Sequence, residues 1–299
     1  MCDTVDVAAL ALPDEFEVDY VPKITPVELL ERVQEYEVLV VRSRTRIDAA
    51  VIEKASKLKL IARPGTGLDN IDLTAASARG VQVVNSPEAL VEAVSELVVA
   101  LMLSLARNIP AADISTRSGQ WQKERFVGME LKGKTLGIAG MGRIGRRVGE
   151  LAKTLGMSVL GYDVIDIPRD VLGAIGCTMV DLDTLFSSSD FITLHVPLSA
   201  ETKHLVNSRR ISLMKKTSFV INTSRGEVID EEALAAALRD GRIAGAGLDV
   251  FENEPPRRGI LDAPNVIATP HIAGQTADAQ KMAISVTGSK IVQFFQRRE

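Results

Sequence analysis

The sequence predicts an α/β fold of two doubly wound parallel-sheet domains, each sheet covered by helices on both faces. Three observations lead there. Short apolar runs alternate with helical patterns along almost the whole chain. The alternation stops at one long apolar helix and then restarts. The length of 299 residues is twice that of a domain of about 150 residues.

In the first block, the Val-, Leu- and Ile-rich runs at 37–41, 58–62 and 81–84 read as buried strands. Segments 48–57 and 72–79 between them have helical spacing. A long helix follows over about 87–107, with Pro87 in its first turn, where a missing N–H costs nothing. From Lys134 the pattern restarts, with strands at 135–139, 158–162, 191–195, 218–222, 246–250 and 266–269. Helices are expected near 143–155, 181–187, 230–239 and 276–296. No short-period repeat is visible, which excludes solenoids and propellers.

Composition narrows the function classes. With 46% hydrophobic and 25% charged residues the chain is globular, and 22 glycines with 12 prolines exclude a collagenous or low-complexity one. The net charge is −4 and no Lys/Arg block stands out, so nucleic acid is not an expected partner. Glu92 and Glu96 interrupt the most apolar stretch, which reads as a buried helix rather than a membrane span. Asp3 and Asp6 stand where a signal peptide would be basic. Two cysteines, Cys2 and Cys177, and three histidines make neither a disulfide framework nor a metal site. A soluble cytoplasmic protein is expected.

The strongest local signal is Gly140-Met-Gly142-Arg143-Ile144-Gly145, placed between a strand and a helix. Gly140 permits a tight turn, Gly142 lets backbone approach a pyrophosphate, and Gly145 lets the helix pack on the strand. The helix N-terminus adds unpaired N–H groups and partial positive charge. Asp163, at the end of the next strand, would accept hydrogen bonds from both ribose hydroxyls and repel a 2′-phosphate, which favours NAD over NADP. This is a Rossmann-type nucleotide site.

Further stretches carry a resemblance. They are Val40-Val-Arg-Ser43, Arg63-Pro-Gly-Thr-Gly-Leu-Asp-Asn-Ile-Asp72, Glu130-Leu-Lys-Gly-Lys-Thr-Leu-Gly-Ile-Ala-Gly-Met-Gly-Arg-Ile-Gly145 and Gly161-Tyr-Asp163. After them come His195-Val-Pro197, Asn222-Thr-Ser-Arg-Gly226, Leu248-Asp-Val-Phe251, Glu254-Pro-Pro256 and Pro270-His271. In this order they resemble the D-isomer-specific 2-hydroxyacid dehydrogenases. The likeness is greatest to the branch that oxidises D-3-phosphoglycerate to 3-phosphohydroxypyruvate on the way to serine. It implies a flavodoxin-like substrate domain at 1–86 and 275–299 with an NAD-binding domain, 87–274, inserted, and an active site in the interdomain cleft.

The resemblance also implies a catalytic trio of Arg225, Glu254 and His271. Oxidising a 2-hydroxy acid sends hydride to a nicotinamide while the hydroxyl loses a proton, so a base that works near neutral pH must stand beside that oxygen. Histidine suits this, and Glu254 would fix its tautomer and favour the protonated ring. Arg225 would bind the substrate carboxylate and polarise the C2 oxygen. His195 is implied to lie beside the cofactor without acting as the base, and His204 is expected at the surface.

For the cofactor, the resemblance implies Asp249 on the nicotinamide carboxamide, with Thr223 and Arg225 flanking the ring. Val196, Pro197 and Thr202 would line the cleft, and Gly274, closing His271-Ile-Ala-Gly274, joins the set. Gly65 and Gly67 would offer N–H groups to the substrate carboxylate, with Thr66 near the nicotinamide. Arg42 matches a phosphate-binding position, and Lys123 and Arg125 would add charge from a partner subunit. The Val91–Ala106 helix is expected to help form a homodimer.

Some positions depart from the family. His271-Ile-Ala-Gly274 replaces the common His-x-Gly-Ala. Asn222-Thr-Ser-Arg-Gly-Glu227 lacks the common Cys-Ala before the Arg and the second Gly after it. The chain is expected to lack a C-terminal regulatory domain. It is also expected to lack the first strand of the substrate domain, because by the resemblance Cys2–Asp6 matches the polar turn after such a strand, 7–12 the next helix and 16–20 the second strand. Two alternatives stay open: a short reductase of glyoxylate, hydroxypyruvate or another 2-keto acid, and an NAD-sensing corepressor of the same fold. Glu254, where formate dehydrogenases have Gln, argues against that relative.

Overall fold

The computed structural model describes residues 1–256 and 258–297. The chain forms two compact units, Met1–Val91 with Gly274–Glu299, and Glu92–Ala273.

The first unit is built on a parallel three-stranded sheet of β1 (Val38–Val40), β2 (Leu60–Arg63) and β3 (Gln82–Asn85), in that order. Alternating side chains serve opposite faces, as the period-2 pleat requires. Leu39, Val41 and Ile61 join Ile47 and Ile52 on one side, while Val40, Leu60 and Ala62 meet Ile291 and Phe294 of the Ala277–Gln296 helix on the other. Asp48 and Asp72 accept N–H bonds from Val51 and Ala75 and so start the Ala49–Lys54 and Leu73–Ala78 helices. Pro26–Arg32, a helix the periodicity did not single out, opens on a capping box between Thr25 and Glu28.

The beginning of the chain differs from expectation. Residues 7–12 form only a 3-10 turn, Ala8–Leu10, and 16–20 form no strand. Acidic side chains alternate through 15–19, Val18 and Tyr20 stay exposed, and Phe16 instead packs edge-on against Phe295 at 5.6 Å. Among the described residues no strand precedes Val38. The Cys2 N–H bonds the Val40 carbonyl at 3.0 Å, which lays the first residues beside β1. The expected 87–107 helix is a 3-10 turn, Pro87–Leu90, followed by the Val91–Ala106 helix. The turn lies with the first unit, where Lys290 pairs with Glu88 at 2.7 Å and Gly274 packs beside Leu90. Pro87–Ala106 is long and apolar enough to cross a membrane by length and composition, but half of it is buried inside the fold.

The second unit holds seven parallel strands: β4 (Thr135–Ala139), β5 (Ser158–Tyr162), β6 (Cys177–Met179), β7 (Phe191–Leu194), β8 (Phe219–Asn222), β9 (Gly245–Leu248) and β10 (Val266–Ala268). Their order is β10-β9-β8-β7-β4-β5-β6. The winding reverses between β4 and β7, the Rossmann switch point at which ligands bind beyond the carboxyl ends of strands. Leu136, Ile138, Phe191 and Ile221 meet Val98, Leu101 and Val148 on one face, while Ile192, Leu194, Val220 and Leu248 meet Leu234 and Leu238 on the other. β6 and the helices Ile109–Arg117, Arg169–Ile175 and Ser208–Leu213 are not among the elements that the periodicity singles out.

Candidate active site

The glycine turn leaves β4 at the switch point. Gly140 has φ +99°, and a Cβ there would stand 2.5 Å from the His195 carbonyl oxygen. At Gly145 a Cβ would come within 2.0 Å of the Gly140 oxygen, so only glycine lets the Arg143–Thr154 helix settle onto the turn. Gly142 is different. It is the N-cap, no side chain caps the helix, and a Cβ there would meet nothing within 4 Å. The first-turn N–H groups thus have no side-chain cap, and beside them Arg143 is exposed and Ile144 half-buried. Asp163 lies beside the turn, accepting the Met141 N–H at 2.7 Å and the Ile165 N–H at 3.2 Å. It therefore holds the turn as well as ending β5. Val196 approaches Gly140, and Thr202 closes the next loop by donating its hydroxyl to the Pro197 oxygen at 2.6 Å.

His195 ends β7 against this turn, with Nε2 3.0 Å from the Thr193 hydroxyl. Burial pushes its imidazole down to about 3, which makes it a neutral, weak base at neutral pH.

His271 and Glu254 come together beyond β9 and β10. His271 Nδ1 lies 2.9 Å from Glu254 Oε2 and 3.1 Å from Oε1. With Nδ1–H committed to the carboxylate, Nε2 carries the lone pair. Asp249, fully buried, organises the loop: its carboxylate accepts the Ile272 and Ala273 N–H groups at 2.8 Å each and the Thr269 hydroxyl at 2.5 Å. The resemblance had implied a cofactor contact for Asp249; the structure shows what both its oxygens do for the histidine loop. Arg225 follows β8, its turn held by Asn222, whose amide donates to the Arg225 carbonyl at 2.8 Å. The neighbouring Thr223 hydroxyl is buried without a hydrogen-bond partner among the described residues. A glycine cradle open at Gly142 and an orphaned hydroxyl at Thr223 fit a dinucleotide.

Of the remaining predicted residues, Arg42, Gly65, Thr66, Gly67 and Gly274 are in the first unit. Arg42 is in the loop after β1, where buried Asp3 accepts the Arg42 N–H at 2.6 Å, the Arg44 Nε–H at 2.9 Å and the Thr45 hydroxyl at 2.9 Å. Asp3 sits inside the polar turn of the sequence reading, with no spacing to mark it. The Gly65 N–H donates to the Ser86 hydroxyl at 2.9 Å. Gly67 follows in the same loop, and the Thr66 hydroxyl is buried without a partner among the described residues. Gly274 belongs to this unit too. Lys123 and Arg125 lie on an exposed 3-10 turn, Lys123–Phe126, in the second unit. His204 lies at the surface, its side chain 40% exposed, with Nε2 2.9 Å from Glu252 Oε1.

A family model described as "D-isomer specific 2-hydroxyacid dehydrogenase, NAD binding domain" matches residues 99–273. The chain is 48% identical to the D-3-phosphoglycerate dehydrogenase of Methanocaldococcus jannaschii, over 92% of this chain and 53% of that protein. It thus spans about half the length of that curated relative. It is 47% identical to the hydroxypyruvate reductase of Thermotoga maritima, over 85% of this chain and 83% of that protein. Among solved structures, the D-lactate dehydrogenase of Aquifex aeolicus, crystallised with NAD and lactic acid, superposes with a TM-score of 0.82 at 33% identity, covering 92% of this chain and 86% of that one.

Proposed function

Because this chain belongs to the D-isomer-specific 2-hydroxyacid dehydrogenase family, we propose that it interconverts a D-2-hydroxy acid and its 2-keto acid with NAD, and that the hydroxy acid is D-3-phosphoglycerate. The observation that carries the chemistry is the His271–Glu254 pair at 2.9 Å, fixed by Asp249. Gly140, Gly142, Gly145 and Asp163 would hold the dinucleotide, with Thr223 toward the ring; bound NAD supplies the hydride acceptor. Arg225 binds the substrate carboxylate and draws electron density from the C2 oxygen. His271 Nε2 takes the hydroxyl proton as the C2–H bond breaks, and Glu254 stabilises the resulting imidazolium. In the reducing direction His271 returns that proton to the keto oxygen. Arg42, held by Asp3, is the phosphate contact of this reading. A cytosolic homodimer is part of the same proposal, supported by the exposed Ile109, Ile114, Trp121 and Val127 after the long helix.

The similarity to a hydroxypyruvate reductase over 83% of its length favours a second reading, reduction of an unphosphorylated 2-keto acid. Steady-state turnover with a panel of phosphorylated and unphosphorylated 2-hydroxy and 2-keto acids decides between them. His271→Ala is expected to lower kcat about 10²–10⁴-fold while NAD affinity stays unchanged. Turnover of no panel member, or near-normal kcat in His271→Ala, overturns the proposal.

A further inference from the structure

The catalytic geometry above depends on where Glu254 stands, and few contacts set that directly. Besides His271, its carboxylate accepts only a long bond from the Phe251 N–H, 3.4 Å, among the described contacts. The preceding backbone is held far more firmly, at Glu252. The Glu252 N–H donates to Glu231 Oε1 at 2.7 Å, and the Glu231 N–H in turn reaches Glu252 Oε1 at 3.5 Å. This crossed pair joins the Glu254 segment to the first turn of the Glu231–Arg239 helix. His204 completes it from a third element, 2.9 Å from the same Glu252 oxygen. The His204 backbone is unusual: φ is +51°, a region side-chain-bearing residues rarely adopt, and the conformation is held by its N–H on the Glu227 oxygen, 2.8 Å, and by Asn207 on its carbonyl, 3.1 Å. Three elements therefore converge on one residue two positions before Glu254.

Glu227 and Glu252 both bear on Glu231, whose carboxyl burial pushes up from its ordinary value. An imidazole N–H donated to Glu252 Oε1 gives a reason for a histidine at a strained position. Gly226 adds the link to the substrate anchor. A Cβ there would stand 1.9 Å from the Phe251 carbonyl carbon, so the Arg225–Gly226 turn lies directly against this segment.

We infer that His204 and Glu231 are positioning residues for the reaction, holding Glu254 in register with His271 by clamping Glu252. The inference rests on the dehydrogenase reading, and its test separates the two. His204→Ala and, independently, Glu231→Ala are expected to lower kcat about tenfold with KM for NAD and for the acid substrate nearly unchanged. His204→Gln, which keeps a donor near Nε2, restores kcat. In a Glu254→Gln background, adding His204→Ala causes no further loss, because its effect passes through the carboxylate already removed. The proton NMR signal of His271 Nδ1–H gives a readout apart from turnover: it persists in His204→Gln and is lost or shifted in His204→Ala. Unchanged kcat in both alanine variants, or an equal loss from His204→Ala with and without Glu254→Gln, overturns the clamp while leaving the dehydrogenase reading standing. Near-normal turnover in His271→Ala overturns both.

Discussion

Gly226→Ala tests how rigidly the substrate anchor and the acid–base pair are joined. The added methyl would lie 1.9 Å from the Phe251 carbonyl carbon, 2.0 Å from its oxygen and 2.4 Å from the Glu252 nitrogen. All three are backbone atoms, so no side chain can rotate away. Ordinary contact begins at 3.4 Å, and the two segments must separate by about 1.5 Å. Overpacking of this kind costs about 1–3 kcal/mol, and misplacing catalytic groups by about 1 Å costs on the order of 10² in rate. We expect kcat to fall about 100-fold and the melting temperature by several degrees. NAD affinity should hold, because the Gly140–Gly145 turn lies elsewhere on the sheet. Gly142→Ala is the matched control: its methyl meets no protein atom, so the melting temperature should stay while NAD binding weakens. Steady-state kinetics, a cofactor titration and a thermal melt on both variants suffice. A Gly226→Ala enzyme with wild-type kcat and melting temperature would refute the reasoning.

Three further outcomes are expected. The wild-type enzyme should prefer NAD over NADP by at least about tenfold in kcat/KM, about 1.4 kcal/mol, and Asp163→Ser should narrow that gap; it should also loosen the turn, because Asp163 bonds the Met141 N–H. Equal use of both cofactors by the wild type would exclude this role. Arg42→Ala should raise KM for a phosphorylated substrate far more than for an unphosphorylated one, since a charge-assisted contact contributes about 1.5–3 kcal/mol; an equal effect on both would favour the second reading. His195 is held neutral, with its value lowered to about 3 from an ordinary 6.5. The unfolded chain therefore binds the extra proton first, and the stability tied to this group is present above about pH 6.5 and declines as pH falls toward 3. Urea midpoints at pH 7 and pH 4.5 should differ less in His195→Gln than in the wild type, and identical pH dependence would count against a buried neutral ring.

What the sequence by itself determined is whatever follows from local periodicity and local chemistry. β4, β7 and β8 show as runs of Leu, Ile, Val and Phe because strands buried on both faces leave no polar alternation to obscure them. The cofactor turn is legible because Gly140, Gly142 and Gly145 fall within six consecutive residues between a strand and a helix, although the backbone that a Cβ on Gly140 would meet belongs to His195, far along the chain. Arg225, Glu254 and His271 could be named only through resemblance, since nothing in their spacing says they meet. Tertiary structure alone brings Glu254 to His271 across 17 residues, places Asp3 under the Arg42 loop across 39, and closes His204 on Glu252 across 48. Each of these joins polar groups from separate segments. Each needs stretches far apart in the sequence to lie side by side, and that placement does not exist until the strands have paired.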